Sequence, residues 1–229
     1  MSWAPQSPNW NGAGALPSSG GNINLPQNTQ TGDTIIVVIS MQGTASVSIS
    51  GAGATWLNPV ESSTAPLLWI FVGYNCSSGH ATIVPTYSGS GGSYVVGVFS
   101  GGPTASSPVL TDGVTSGSNL TSVTSPSETY AYGNLIVGGG SLYNAFGSTL
   151  DVSATWSSGS PTNVIGANQV PSSDRGAFAD YLIGGYGGGS TDVEYTCSSE
   201  SGSGLVASGI VVLQPLSSPD NSGFFMFMN

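Results

Sequence analysis

Residues 34–40 read Thr-Ile-Ile-Val-Val-Ile-Ser, a β-branched run with no polar face. Branching at Cβ restricts χ1 and favours extended backbone. Successive side chains of a strand point to opposite faces, so a run apolar at odd and even positions alike must be covered on both sides. This predicts a central strand of an all-β fold. Residues 45–50, Ala-Ser-Val-Ser-Ile-Ser, alternate apolar with hydroxyl and predict a half-buried strand. Further strands are predicted over 67–74, 80–87 and 94–99, separated by turns such as Ser88-Gly89-Ser90-Gly91-Gly92. Glycine at 35 positions and the lack of long helical periodicity leave room only for a helical turn near residues 174–179.

The pattern occurs twice. Gly32-Asp33-Thr34-Ile35-Ile36-Val37 is matched by Gly133-Asn134-Leu135-Ile136-Val137, and Ala54-Thr55-Trp56 by Ala154-Thr155-Trp156. The strands at 68–74, 79–87 and 94–99 correspond to 181–186, 189–196 and 205–213. The expectation is one antiparallel β-sandwich, jelly-roll-like, built from pseudo-repeated halves at 31–100 and 130–215 that share a core. Both Ala-Thr-Trp segments would supply core aromatics, and 101–119 reads as a linker. Residues 1–30, rich in Pro, Gly, Asn and Ser, read as an extended N-terminal arm carrying Trp3 and Trp10, with room for a short strand over residues 23–25 before Pro26. Residues 216–229 read as a docking tail, because Phe224, Phe225, Met226, Phe227 and Met228 are costly to leave in water. Those five and the two tryptophans are the candidate partner-docking residues.

Charge narrows the function. The 229 residues hold no lysine, one arginine (Arg175) and one histidine (His80) against 11 acids, for a formal net charge of −10. Neutralising phosphates takes several cations, so nucleic acid is not expected as a partner. Recruitment to anionic lipid fails for the same reason. No apolar run reaches the 18 residues of a membrane helix, and residues 1–6 lack a signal-peptide pattern.

The chemistry that remains is sparse. A phosphate-binding P-loop and Schiff-base catalysis both need a lysine. His80 is the one candidate base for a serine triad, and no G-x-S-x-G elbow accompanies it. Asp192 and Glu194, two apart on a strand with Asp180 as a further carboxylate, read as a polar face rather than a glycosidase pair. The acids Asp33, Glu61, Asp112, Glu128 and Asp151 are scattered and form no linear calcium loop. No enzyme, cofactor or metal site is therefore expected. Asp174 and Arg175 form the expected structural ion pair. Cys76 and Cys197 lack metal-ligand spacing, and two buried thiols or one long-range disulfide both remain open. The Asn75-Cys76-Ser77 and Asn119-Leu120-Thr121 triplets match the glycosylation pattern.

With Gly-Asp-Thr-Ile-Ile-Val-Val at 32–38, the two Ala-Thr-Trp segments and Ala-Ser-Gly-Ile-Val-Val-Leu at 207–213, the chain resembles Gly/Ser-rich β-sandwich structural proteins of tailed-phage virions. These serve as capsid decoration, tail or fibre components. The resemblance covers about residues 31–215 and transfers no catalytic residue. It implies a non-enzymatic homo-oligomeric virion protein that binds copies of itself and other virion subunits through its terminal arms. Two alternatives accompany it. One is an extracellular or cell-surface filament subunit polymerised by strand donation; the other is a carbohydrate-binding sandwich stacking a surface glycan on Tyr143, Tyr186 or Trp10.

Overall fold

The computed structural model describes residues 3–6, 11–41, 46–62, 67–89, 91–103, 106–143, 152–158, 163–170, 175–184, 188–197 and 204–216. For residues 11, 67, 118, 119, 143, 163–170, 175, 197, 205 and 206 it gives the backbone path alone. Every regular element among them is a β-strand. The first half contains β1 (Ala4–Pro5), β2 (Asn11–Ala15), β3 (Ile23–Asn24), β4 (Thr34–Met41), β5 (Val47–Gly51), β6 (Thr55–Trp56), β7 (Val60–Glu61), β8 (Leu67–Tyr74), β9 (Thr82–Tyr87) and β10 (Gly92–Ser100). The second contains β11 (Val109–Leu120), β12 (Ser122–Thr124), β13 (Glu128–Tyr130), β14 (Leu135–Tyr143), β15 (Val152–Trp156), β16 (Asn163–Val170), β17 (Arg175–Ile183), β18 (Gly189–Thr191), β19 (Val193–Cys197) and β20 (Gly204–Leu213).

All pairings are antiparallel, and the two halves use the same strand order. One large sheet runs β2-β10-β4-β8, with β1 also on β10 and with β6 and β7 on the far side of β8. Its counterpart runs β11-β20-β14-β17-β16. The small sheet β3-β9-β5 corresponds to β12-β19-β15, with β13-β18 beside it. The stretch near 174–179, where a helical turn was expected, falls from residue 175 onward within β17, which lies between β14 and β16.

The turn that opens each half's central strand is built the same way. Gly32 and Gly133 adopt φ of 86° and 80°, a left-handed conformation that favours glycine. The Asp33 and Asn134 side chains each accept from a backbone N–H three residues earlier, Gln30 at 2.7 Å and Ala131 at 2.6 Å. Gly32 N–H donates to Cys76 O and Gly133 N–H to Gly184 O, both at 2.9 Å. Cys76 and Gly184 return the bond to Asp33 O and Asn134 O. A short polar side chain capping its own turn explains why the repeat keeps Asp or Asn after the glycine.

Among the described residues, three apolar clusters separate four sheet layers. On β4, Ile35, Val37, Ile39 and Met41 face the small sheet of their own half, meeting Ile23, Ile49 and Ile83. Ile36 and Val38 face the other way and meet Leu135, Val137, Ala179 and Val211 of the second half. A third cluster lies between the second large sheet and its small sheets, with Ile136, Phe178, Trp156 and Tyr195. The run without a polar face at 34–40 is thus covered by a different half of the chain on each side. The middle core is the one the halves share.

Several expectations change. Trp3, expected to dock a partner, is 2% exposed inside the middle core, because β1 pairs with the end of β10 and carries it there. The first thirty residues also supply β2 to the large sheet and Leu16 and Leu25 to a core, while the short strand expected over residues 23–25 is present as β3. Within the expected linker, Val109–Leu120 is an edge strand on β20. The two Ala-Thr-Trp segments occupy different positions: Trp56 lies on β6 beside β8, Trp156 on β15 beside β19. Trp10, Asp151, Asp174, Tyr186 and the tail at 217–229 lie outside the described residues.

Burying an indole as completely as Trp3 makes residues 3–6 part of the folding unit. Trp3→Ala is expected to lower stability by about 3–5 kcal/mol, measured by denaturant unfolding; a separate arm would leave the midpoint unchanged.

Candidate interaction surface

The second half carries the exposed large apolar residues of the described chain: Leu110 at 52%, Leu120 at 38% and Tyr132 at 59%. Leu110 and Leu120 belong to β11, which among the described residues ends its sheet and pairs with β20. A strand at the end of a sheet is the usual place for a further strand to add. Register shifts interrupt β11 between Val109 and Thr111 and between Ser116 and Leu120. Such irregularities twist an edge.

Beside this edge lies a groove of about 340 Å³, lined by Leu110, Thr111, Thr129, Tyr130, Ala131 and Asn134. The Asn134 turn shapes one wall, and the Tyr130 hydroxyl lies 3.3 Å from Ser158 Oγ. Glu128 accepts from the Thr111 hydroxyl. Burial raises the Asp112 carboxyl above its ordinary range, and the Glu128 charge raises it further. The surface thus combines exposed apolar side chains, a strand at the end of its sheet and two acids.

Away from it, two buried carboxylates are held by side chains distant in sequence. Asp180 is 1% exposed on β17; its oxygens accept from Trp156 Nε1 at 2.9 Å and the Tyr195 hydroxyl at 2.5 Å. Desolvation raises its carboxyl to about 6, while the two hydrogen bonds oppose the shift. Tyr195 is driven well above its usual value by burial and by the Asp180 charge. Sealed in a core, this cluster is structural rather than a site open to substrate. Asp33, also 1% exposed, accepts from Gln6 Nε2 at 2.5 Å, and Gln27 Nε2 donates to Gln6 Oε1 at 2.9 Å. Burial raises Asp33, with its bonds to Gln30 and Gln6 opposing.

Among the described residues the remaining sequence candidates do not converge. His80 is exposed in the loop before β9. Glu194 lies on β19 with Asp192 just ahead of it, both half-buried, while Val193 and Tyr195 point inward. Glu61 accepts from Trp69 Nε1 at 2.9 Å. Cys76 is a free, buried thiol, pushed up to about 12 by desolvation and by the Asp33 charge. The side chains of Cys197, Arg175 and Tyr143 lie outside the described residues. Among the described residues no group of three or more His, Cys, Asp or Glu could hold a metal ion, and no helix is long and apolar enough to cross a membrane.

Comparison with known proteins adds no relative. The chain matches no family model, no curated protein and no solved structure.

Two measurements test the buried groups. A carboxyl raised in the folded state binds its proton more tightly there than in the unfolded chain, so its contribution is complete below about pH 4 and is lost as pH rises through 6. Stability should therefore fall by up to about 3 kcal/mol between pH 4 and 7. Asp180→Asn should flatten that slope, whereas Asp180→Ala should destabilise at every pH by orphaning the indole and phenol donors. For the thiol, a Cys197→Ser variant should leave Cys76 unreactive to a thiol reagent at pH 8 until the protein is unfolded.

Proposed function

We propose that this chain is a non-enzymatic structural protein of a virus particle, a capsid-decoration, tail or fibre component that assembles with copies of itself. The observation that carries the reading is the strand order. Numbered along each half, with β6 and β7 counted together as the fifth strand, the large sheet runs 1-8-3-6-5 and the small one 2-7-4. Orders 1-8-3-6 and 2-7-4 are those of a jelly roll, the fifth strand having moved to the edge beside the sixth. Each half is then one jelly roll, a fold common in viral capsid and lectin domains. The single cation among 229 residues supports a scaffold held by sheet hydrogen bonds and apolar packing rather than ion pairs.

The exposed apolar side chains Leu110 and Leu120 of β11, together with Tyr132, form the surface through which copies join, and the apolar residues 224–228 are a second docking element. The place of β11 at the end of its sheet among the described residues favours a second reading, a filament subunit polymerised by strand donation.

Purified protein should form ordered oligomers, visible by negative-stain electron microscopy and light scattering. Leu110→Asp with Tyr132→Ser should abolish them while leaving the melting temperature within a few degrees. Closed or capped particles favour the virion reading, open fibres the filament. A protein monomeric at every concentration tested would overturn both.

A further inference from the structure

The two large sheets face each other in reverse order. Across the middle core, β2 and β10 lie against β16, β4 against β17 and β14, β8 against β14 and β20, and β7 against β20 and β11. In the numbering of each half, strand 1 meets strand 5, and strand 3 meets strand 3. That is the arrangement of an isologous interface, in which one patch meets its own equivalent.

Individual residues follow the same rule. Matching Gly32-Asp33 to Gly133-Asn134 makes Ser40 equivalent to Ser141, and the two hydroxyls are 2.7 Å apart in the core. It likewise makes Val38 equivalent to Gly139. A Cβ built on Gly139 would lie 3.0 Å from a Val38 methyl and 3.0 Å from Ile70 Cδ1. Equivalent positions that touch each other lie on a two-fold axis.

The two faces have nevertheless diverged in size. Val38 is flanked on its neighbouring strands by Val95 and Ile70, whereas Gly139 is flanked by Gly209 and Ala179. Ile70 Cδ1 also lies 2.9 Å from where a Gly209 Cβ would be. Near the axis the first half is bulky and the second small. Further out the bias reverses, with Tyr181 at the place of Val72 and stacked edge-on against Phe99 at 5.3 Å.

We infer that the halves meet across an internal two-fold axis whose faces have become size-complementary, so that each half fits the other and not a copy of itself. Two first halves would collide at Val38 and Ile70; two second halves would leave a void between glycines. Specificity built from such clashes selects one pairing. It favours first-with-second pairing even when many copies of the chain are crowded together.

The test exchanges the sizes in the full-length chain. One triple variant carries Val38→Gly, Ile70→Ala and Val95→Gly; the other carries Gly139→Val, Ala179→Ile and Gly209→Val. Each should lower the melting temperature by about 5 °C or more. The six-fold variant, which is the same interface seen from its other side, should melt above both triples. A six-fold variant melting no higher than the better triple would overturn the inference. Independently, Ser40→Cys with Ser141→Cys, in a Cys76→Ser and Cys197→Ser background, should form an intramolecular disulfide on oxidation. Two thiols persisting in the folded, oxidant-treated protein would also overturn it.

Discussion

Backbone amides and carbonyls taken out of water must find partners, and a strand meets that demand only by lying between two others. β4 and β14 are the strands on which this falls hardest. Each is paired along nearly its whole length on both edges and covered by side chains on both faces. One small sheet can cover one face only. The second cover has to come from the rest of the chain, so the four layers follow from the two strands at the centre.

The acids fit the same picture. With a single arginine in the chain, buried carboxylates cannot rely on ion pairs. Asp33 is held by a glutamine and a backbone amide, and Asp180 by an indole and a phenol. Burial makes both groups bind their protons more tightly than in water, and neutral donors, which stabilise a carboxylate less than a cation does, offset that only in part.

The central strands and the repeat are legible in the sequence, because a β-branched run and a Gly-Asp or Gly-Asn turn are local signals. What escapes it is set by partners far along the chain. Composition makes Val109–Leu120 look like a linker, yet pairing with β20 uses backbone groups that composition does not report. Trp3 sits among residues without periodicity, and only the Ala4 to Ser100 pairing carries it inward. The matching Ala-Thr-Trp triplets fall on unlike strands, since an identical triplet does not fix register. Asp180 had a local signal: it alternates with Phe178 and Leu182, which both enter the outer core, so inward orientation was readable although Trp156 and Tyr195 were not. The exposure of Leu110 and Leu120 on β11 left none, because exposure is set by what packs beside a strand and not by its own composition.

Residues 101–108 connect the halves, between the end of β10 at Ser100 and the start of β11 at Val109. Gly101 O accepts from Leu216 N–H, and Pro108 O from Gln214 N–H, so the connection is itself fastened to the end of β20. A tether this short holds its two ends at an effective concentration in the millimolar range. Two separate chains with the same faces would part on dilution. Joined, the halves stay paired however few molecules are present, and the pairing needs no minimum level of synthesis.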